Sequence, residues 1–200
     1  MKRSITNALT VFSTHGGVLR TRQALALGIA PRTLYSMREM GMITRLDRGI
    51  YYLPMPDPLG YPDLINVFMR VPKAIICLIS ALHFYGLTSH IPHRVSVALP
   101  QSAVKPKIEF PPLDIIWLSE KVYSAGIVEQ QVDGFTIKMY SKEKTIADCF
   151  KFRNKIGITV AVEALKEYLA QRERSIDLLL SYARLDRVEK LISPYLEALI

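Results

Sequence analysis

The nine residues Pro54-Met55-Pro56-Asp57-Pro58-Leu59-Gly60-Tyr61-Pro62 restrict the fold of this 200-residue chain more than any other stretch. Four prolines withdraw amide donors and fix φ, and the glycine loosens what lies between them, so neither a helix nor a central strand can run through. The chain is expected to divide into a small module at 1–53, a linker at 54–62 and a larger domain at 63–200. Charge follows the same division. The formal net charge is +8, and residues 1–53 hold eight cations (Lys2, Arg3, Arg20, Arg22, Arg32, Arg38, Arg45 and Arg48) against Glu39 and Asp47, a balance of +6. An anionic partner for the small module is implied, and arginine suits phosphate or a guanine edge because its planar fork makes two parallel hydrogen bonds.

The periodicity within 1–53 predicts three helices and a hairpin. Ile5, Ala8, Leu9 and Phe12 lie at helical spacing before the breaker His15-Gly16-Gly17. Thr21 is placed to cap a second short helix over TRQALALG, and Gly28 to end it in a positive-φ turn. Pro31 suits the first position of a third helix that Gly41 stops. On that helix Leu34, Met37 and Met40 gather on one side and Arg32, Tyr35, Ser36 and Glu39 on the other. Residues 42–46 and 49–53 then read as two strands around Asp47-Arg48-Gly49.

Two helices joined by a glycine-containing turn and followed by a basic hairpin form the winged helix-turn-helix pattern of proteins that bind double-stranded DNA. In this reading Thr21, Arg22 and Gln23 hold the phosphate backbone near the start of the second helix. Arg32, Thr33, Tyr35 and Ser36 read base edges, and Arg45 and Arg48 clamp through the wing. A winged helix used for protein contacts alone is the competing reading.

Three segments, GGVLRTRQALALGIAPRTLYSMREMGMITRLDRGIYYLP, ISALHFYGLTSHIPHRVSVALP and YSKEKTIADCFKFR, resemble the AbiEi family, antitoxins of type IV toxin/antitoxin (abortive infection) systems in phage defence. The resemblance implies an N-terminal winged helix joined to a larger C-terminal domain, and autorepression of an operon through inverted repeats. It also implies opposition to a nucleotidyltransferase-like toxin, without requiring direct contact. Ala30 departs from the pattern, because it stands where a serine or threonine would normally introduce the recognition helix. A winged-helix transcriptional regulator unrelated to a toxin remains the alternative.

Beyond the linker, residues 63–70 and 74–85 read as apolar helices, with Gly86 ending the second. Residues 94–99, 115–118, 127–132 and 135–140 read as strands, the last two a hairpin across Asp133-Gly134. Helices are expected over 142–152, 159–171, 175–185 and 188–200. The fold class is therefore α+β, with a small, mostly antiparallel sheet and a helical C-terminal tail.

No enzyme chemistry, cofactor or metal site is expected. Glu109, Asp114, Glu120 and Lys121 lack the spacing of a metal-dependent nuclease, and Glu120 and Lys121 would point to opposite faces of a strand. His83, His90 and His93 lack a fourth ligand nearby, and Cys77 and Cys149 sit among apolar neighbours as buried free thiols. Lys144, Lys151 and Lys155 share one side of a helix and are candidates for a second basic surface. The sequence carries neither an apolar run long enough to span a bilayer nor a secretory leader, so a cytoplasmic protein without membrane association is expected.

Overall fold

The computed structural model describes residues 2–54 and 60–199. It divides into two compact units, Met1–Arg70 with Gln130–Ile137, and Val71–Glu129 with Lys138–Ile200. The division falls at Arg70 rather than within the proline-rich segment, of which residues 55–59 lie outside the described residues. Residues 62–70 and the tip of a later hairpin thus group with the N-terminal module. One bond that ties them runs from the Tyr61 amide to Asp133 Oδ2 at 2.9 Å.

The first unit contains α1 (Lys2–Thr14), β1 (Val18–Arg20), α2 (Thr21–Ala26), α3 (Pro31–Glu39), β2 (Thr44–Asp47), β3 (Ile50–Tyr52) and α4 (Pro62–Arg70). Ile5, Ala8 and Phe12 fall on the inner face of α1 and meet Leu19, Ala24, Leu34, Met37 and Ile43 in one buried cluster. Helix α2 ends as its sequence requires. Gly28 takes φ +84°, its amide donates to Leu25 O at 3.0 Å, and the Ile29 amide donates to Ala24 O at 2.9 Å. This pair of bonds is the Schellman closure, which needs a residue able to enter the left-handed region. It turns the chain in two residues and leaves the buried Ile29 to pack beneath the turn.

Strand β1 was not expected. It pairs antiparallel with β3, which also pairs with β2, so the hairpin is the larger part of a three-stranded sheet in the order β1-β3-β2. Three residues are too few to show a period of two, and their partner lies about thirty residues away, so only tertiary pairing defines this strand.

The second unit holds β4 (Ile75–Ile76), α5 (Leu78–Phe84), β5 (Val95–Pro100), β6 (Leu113–Leu118) and α6 (Glu120–Tyr123), then the hairpin β7 (Ile127–Val132) and β8 (Phe135–Tyr140), whose tip groups with the first unit. Five helices follow: α7 (Lys142–Lys151), α8 (Arg153–Ile156), α9 (Ile158–Ala170), α10 (Ile176–Leu185) and α11 (Glu189–Leu199). The five strands order as β6-β5-β4-β8-β7. Two expectations are corrected. The sheet is mixed, since β5 pairs parallel with β6 and β4 parallel with β8, while β4 and β5 are antiparallel. Residues 74–77 are not helical: Ile75 and Ile76 form the central strand, and the chain breaks into α5 at Leu78, whose φ is +45°. A fully buried strand has apolar residues on both faces, so its pattern cannot be told from that of a buried helix.

The hairpin turn is as read: Asp133 and Gly134 both take positive φ, the type I′ geometry that matches the twist of paired strands. Apolar faces of α7, α9, α10 and α11 close a second core around Leu82, Tyr140, Ile146, Phe150, Leu165 and Ile192. Cys77 and Cys149 are free and buried in it. Among the described residues no helix is long and apolar enough to cross a membrane, and no group of three or more histidine, cysteine, aspartate or glutamate residues could hold a metal ion.

Candidate nucleic-acid interface

Helix α3 starts on Pro31, whose absent amide costs nothing at a position with no helical partner. Ala30 precedes it in extended conformation and supplies no side-chain cap. Leu34 and Met37 are buried against α1 and anchor the inner face. Arg32, Tyr35, Arg38 and Glu39 are exposed, with Thr33 and Ser36 half-buried at the margins. Met40, expected inside, is 46% exposed because the helix ends at Glu39 and the chain leaves the helical stripe there.

Arg38 was not among the expected site residues. Its guanidinium lies 5.6 Å from the centre of the Tyr35 ring, three positions earlier on the same face. A cation over an aromatic ring at this range holds both side chains in a defined direction. The i, i+3 spacing of an aromatic and an arginine was the signal available in the sequence.

Arg45 and Arg48 are exposed on the β2–β3 hairpin. The register shifts between Arg45, opposite Tyr51, and Asp47, opposite Ile50. Such a bulge adds local twist and re-aims the side chains beside it.

The start of α2 differs in detail from expectation. Thr21 does not cap the helix; Arg20 occupies the cap position, and its amide donates to Gln23 Oε1 at 3.0 Å. The Thr21 amide donates to Gly49 O at 2.8 Å, and its hydroxyl reaches the same oxygen at 3.3 Å. Of the three residues expected to grip a phosphate backbone here, Thr21 is held by Gly49, Gln23 is exposed but its Oε1 accepts from the Arg20 amide, and Arg22 is exposed. Burial, and after it the like charge of Arg70, lowers the pKa of the half-buried Arg20 guanidinium from the usual arginine range.

Residues 8–54 match the model of a family described as transcriptional regulator, AbiEi antitoxin. This N-terminal segment is similar to the AbiEi family. The match begins within α1 and ends just past β3, so it spans the three helices and the hairpin and none of the second unit. The chain is also similar to the RV2827C protein from Mycobacterium tuberculosis, whose crystal structure aligns over 94% of this chain and 71% of that one with a TM-score of 0.55. The two are 16% identical, so the likeness is one of fold. No curated protein matches the sequence.

The expected second basic surface is not one. Lys144 is fully buried, donates to Asp148 Oδ1 and to Asp186 Oδ2 at 3.1 Å, and lies 4.7 Å from the Tyr140 ring centre. Lys151 bonds Asp186 at 3.0 Å, and Lys155 pairs with Asp114 at 2.6 Å. Burial raises the Asp148 carboxyl to about 7, with Lys144 opposing and Asp186 adding to the rise. Lys144 therefore cannot meet a phosphate, and the other two spend their charge on neighbouring carboxylates.

Proposed function

We propose that residues 2–54 are a winged helix-turn-helix that binds double-stranded DNA, with α3 in the major groove and the β2–β3 turn on the adjacent backbone or minor groove. One observation carries the reading. The inner face of α3 is fixed by Leu34 and Met37, while Arg32, Tyr35 and Arg38 are exposed on its other face, and the hairpin that follows it in the chain exposes Arg45 and Arg48. Arg32, Thr33, Tyr35 and Ser36 then read base edges from the N-terminal half of the helix, the part that enters a groove most deeply in this class of motif. Arg22, Gln23, Arg45 and Arg48 set register through phosphates, which carry little sequence information themselves.

Within this reading the chain is an antitoxin and autorepressor that binds inverted repeats upstream of its own operon and counters a nucleotidyltransferase-like toxin. The AbiEi match supports the regulatory part. The toxin is carried by the family resemblance alone.

Titration of a labelled duplex from the region upstream of the gene, beside a scrambled duplex, tests the assignment. Arg32→Ala is expected to cost about 1–3 kcal/mol on the upstream duplex with little change on the scrambled one. Arg48→Ala should weaken both and flatten the salt dependence, as the loss of a phosphate contact does. Unchanged binding of Arg32→Ala to the upstream duplex would remove α3 as the reading helix. Co-expression with the product of the neighbouring gene tests the toxin: continued growth arrest in its presence would leave a regulator without an antitoxin role.

A further inference from the structure

The contact between Thr21 and Gly49 joins two parts of the candidate interface that lie 28 residues apart in sequence. The amide of Thr21, at the first position of α2, has no acceptor inside its own helix and finds one in the Gly49 carbonyl at 2.8 Å. The Thr21 hydroxyl lies 3.3 Å from the same oxygen, which has two lone pairs and accepts both. Gly49 itself takes φ +75°, and a Cβ placed on it would come within 3.3 Å of the Thr21 hydroxyl oxygen. The glycine therefore meets a backbone requirement and also lets this hydroxyl approach. Arg48 directly precedes Gly49 in the β2–β3 turn, so anchoring the 49 carbonyl limits how far the turn that carries Arg48 can move.

We propose that Thr21 is a positioning residue for the wing: by holding the Gly49 carbonyl with both amide and hydroxyl, it fixes the turn from which Arg48 reaches a DNA phosphate. The proposal rests on the DNA-binding reading above. It replaces the direct phosphate contact that the sequence assigned to Thr21 with an indirect role through Arg48. A valine at 21 keeps the shape and the amide bond and removes only the hydroxyl, whereas a serine keeps the hydroxyl.

The experiment is a double-mutant cycle on the full chain, with binding to a labelled scrambled duplex read by fluorescence anisotropy over a range of salt. Thr21→Val is expected to weaken binding by roughly 3- to 10-fold, on the order of one lost charge-assisted contact. In an Arg48→Ala background the same substitution should change nothing, and Thr21→Ser should restore wild-type binding. Thr21→Ala, which removes the hydroxyl while favouring the helix, provides a second route to the same comparison if the valine variant does not fold. A Thr21→Val effect of equal size in both backgrounds would show that Thr21 touches DNA itself and would overturn the proposal. So would an affinity and salt slope equal to wild type. Failure of the wild-type chain to bind any duplex would defeat the DNA-binding reading and this inference with it, an outcome distinct from the other two.

Discussion

Lys144 shows how a residue of the right type at the right spacing acquires the opposite role. Lys144, Lys151 and Lys155 recur at intervals of seven and four, and Lys144 and Lys151 do share a direction, since both reach Asp186. That direction points into the core rather than to solvent. The neighbour four positions on, Asp148, is visible in the sequence, but Asp186 lies 42 positions away and no local pattern reveals it. A buried ammonium between two carboxylates is costly to assemble and far costlier to break, because removing Lys144 leaves the fully buried Asp148 without its cation, while Asp186 keeps its bond to Lys151. Lys144→Met, which keeps the bulk of the side chain, is therefore expected to cost about 3–5 kcal/mol in a urea titration. Lys151→Met should cost visibly less, since the Lys151 side chain is 29% exposed and Asp186 retains its bond to Lys144. Equal, small losses for the two variants would mean that the network adds little to stability.

At the scale of elements, the outcome depends on how far away the partner of each segment lies. Helices α1, α2 and α3 and the β7–β8 hairpin were legible because their signals are local: an inner face repeated every three to four residues, Gly28 and Gly41 past helix ends, Pro31 at a first turn, Asp133-Gly134 between two strands. Strands β1 and β4, three and two residues long, were not. Each is defined by ladders to residues at least twenty positions away, Val18 with Tyr52 and Ile75 with Ala98, and a short apolar run has no period of its own. The same reasoning explains the mixed sheet, whose parallel pairs arise from crossovers that the sequence does not mark. The missing cap of α3 is a local feature and supports a local prediction. Ala30 already has the extended backbone of a capping residue, φ −65° and ψ 145°, and offers no oxygen. Ala30→Ser should then stabilise the chain by about 0.5–2 kcal/mol, by accepting from an amide in the first turn of α3. An unchanged or lowered midpoint of thermal unfolding would show that this amide is already satisfied.

For the whole molecule, what matters is that most of the formal charge and most of the chain lie in different places. The +6 module occupies residues 1–53, whereas the second unit takes 71–129 and 138–200 and puts its lysines at 144, 151 and 155 into internal ion pairs. Within the reading proposed above, the second unit is where opposition to a toxin would reside. The two activities should then separate. An Arg32→Ala/Arg48→Ala chain, placed under an independent promoter so that its supply does not depend on its own operator, is expected to lose repression of a reporter driven by the upstream region. If the product of the neighbouring gene arrests growth, the variant chain should still restore growth to cells expressing that product. Both losses together would tie neutralisation to DNA binding, making the first unit the effector and the second its scaffold. Growth rescue without repression would place the antitoxin function outside the DNA-reading surface of the first unit, and the second unit, residues 71–129 and 138–200, would then be the segment to dissect.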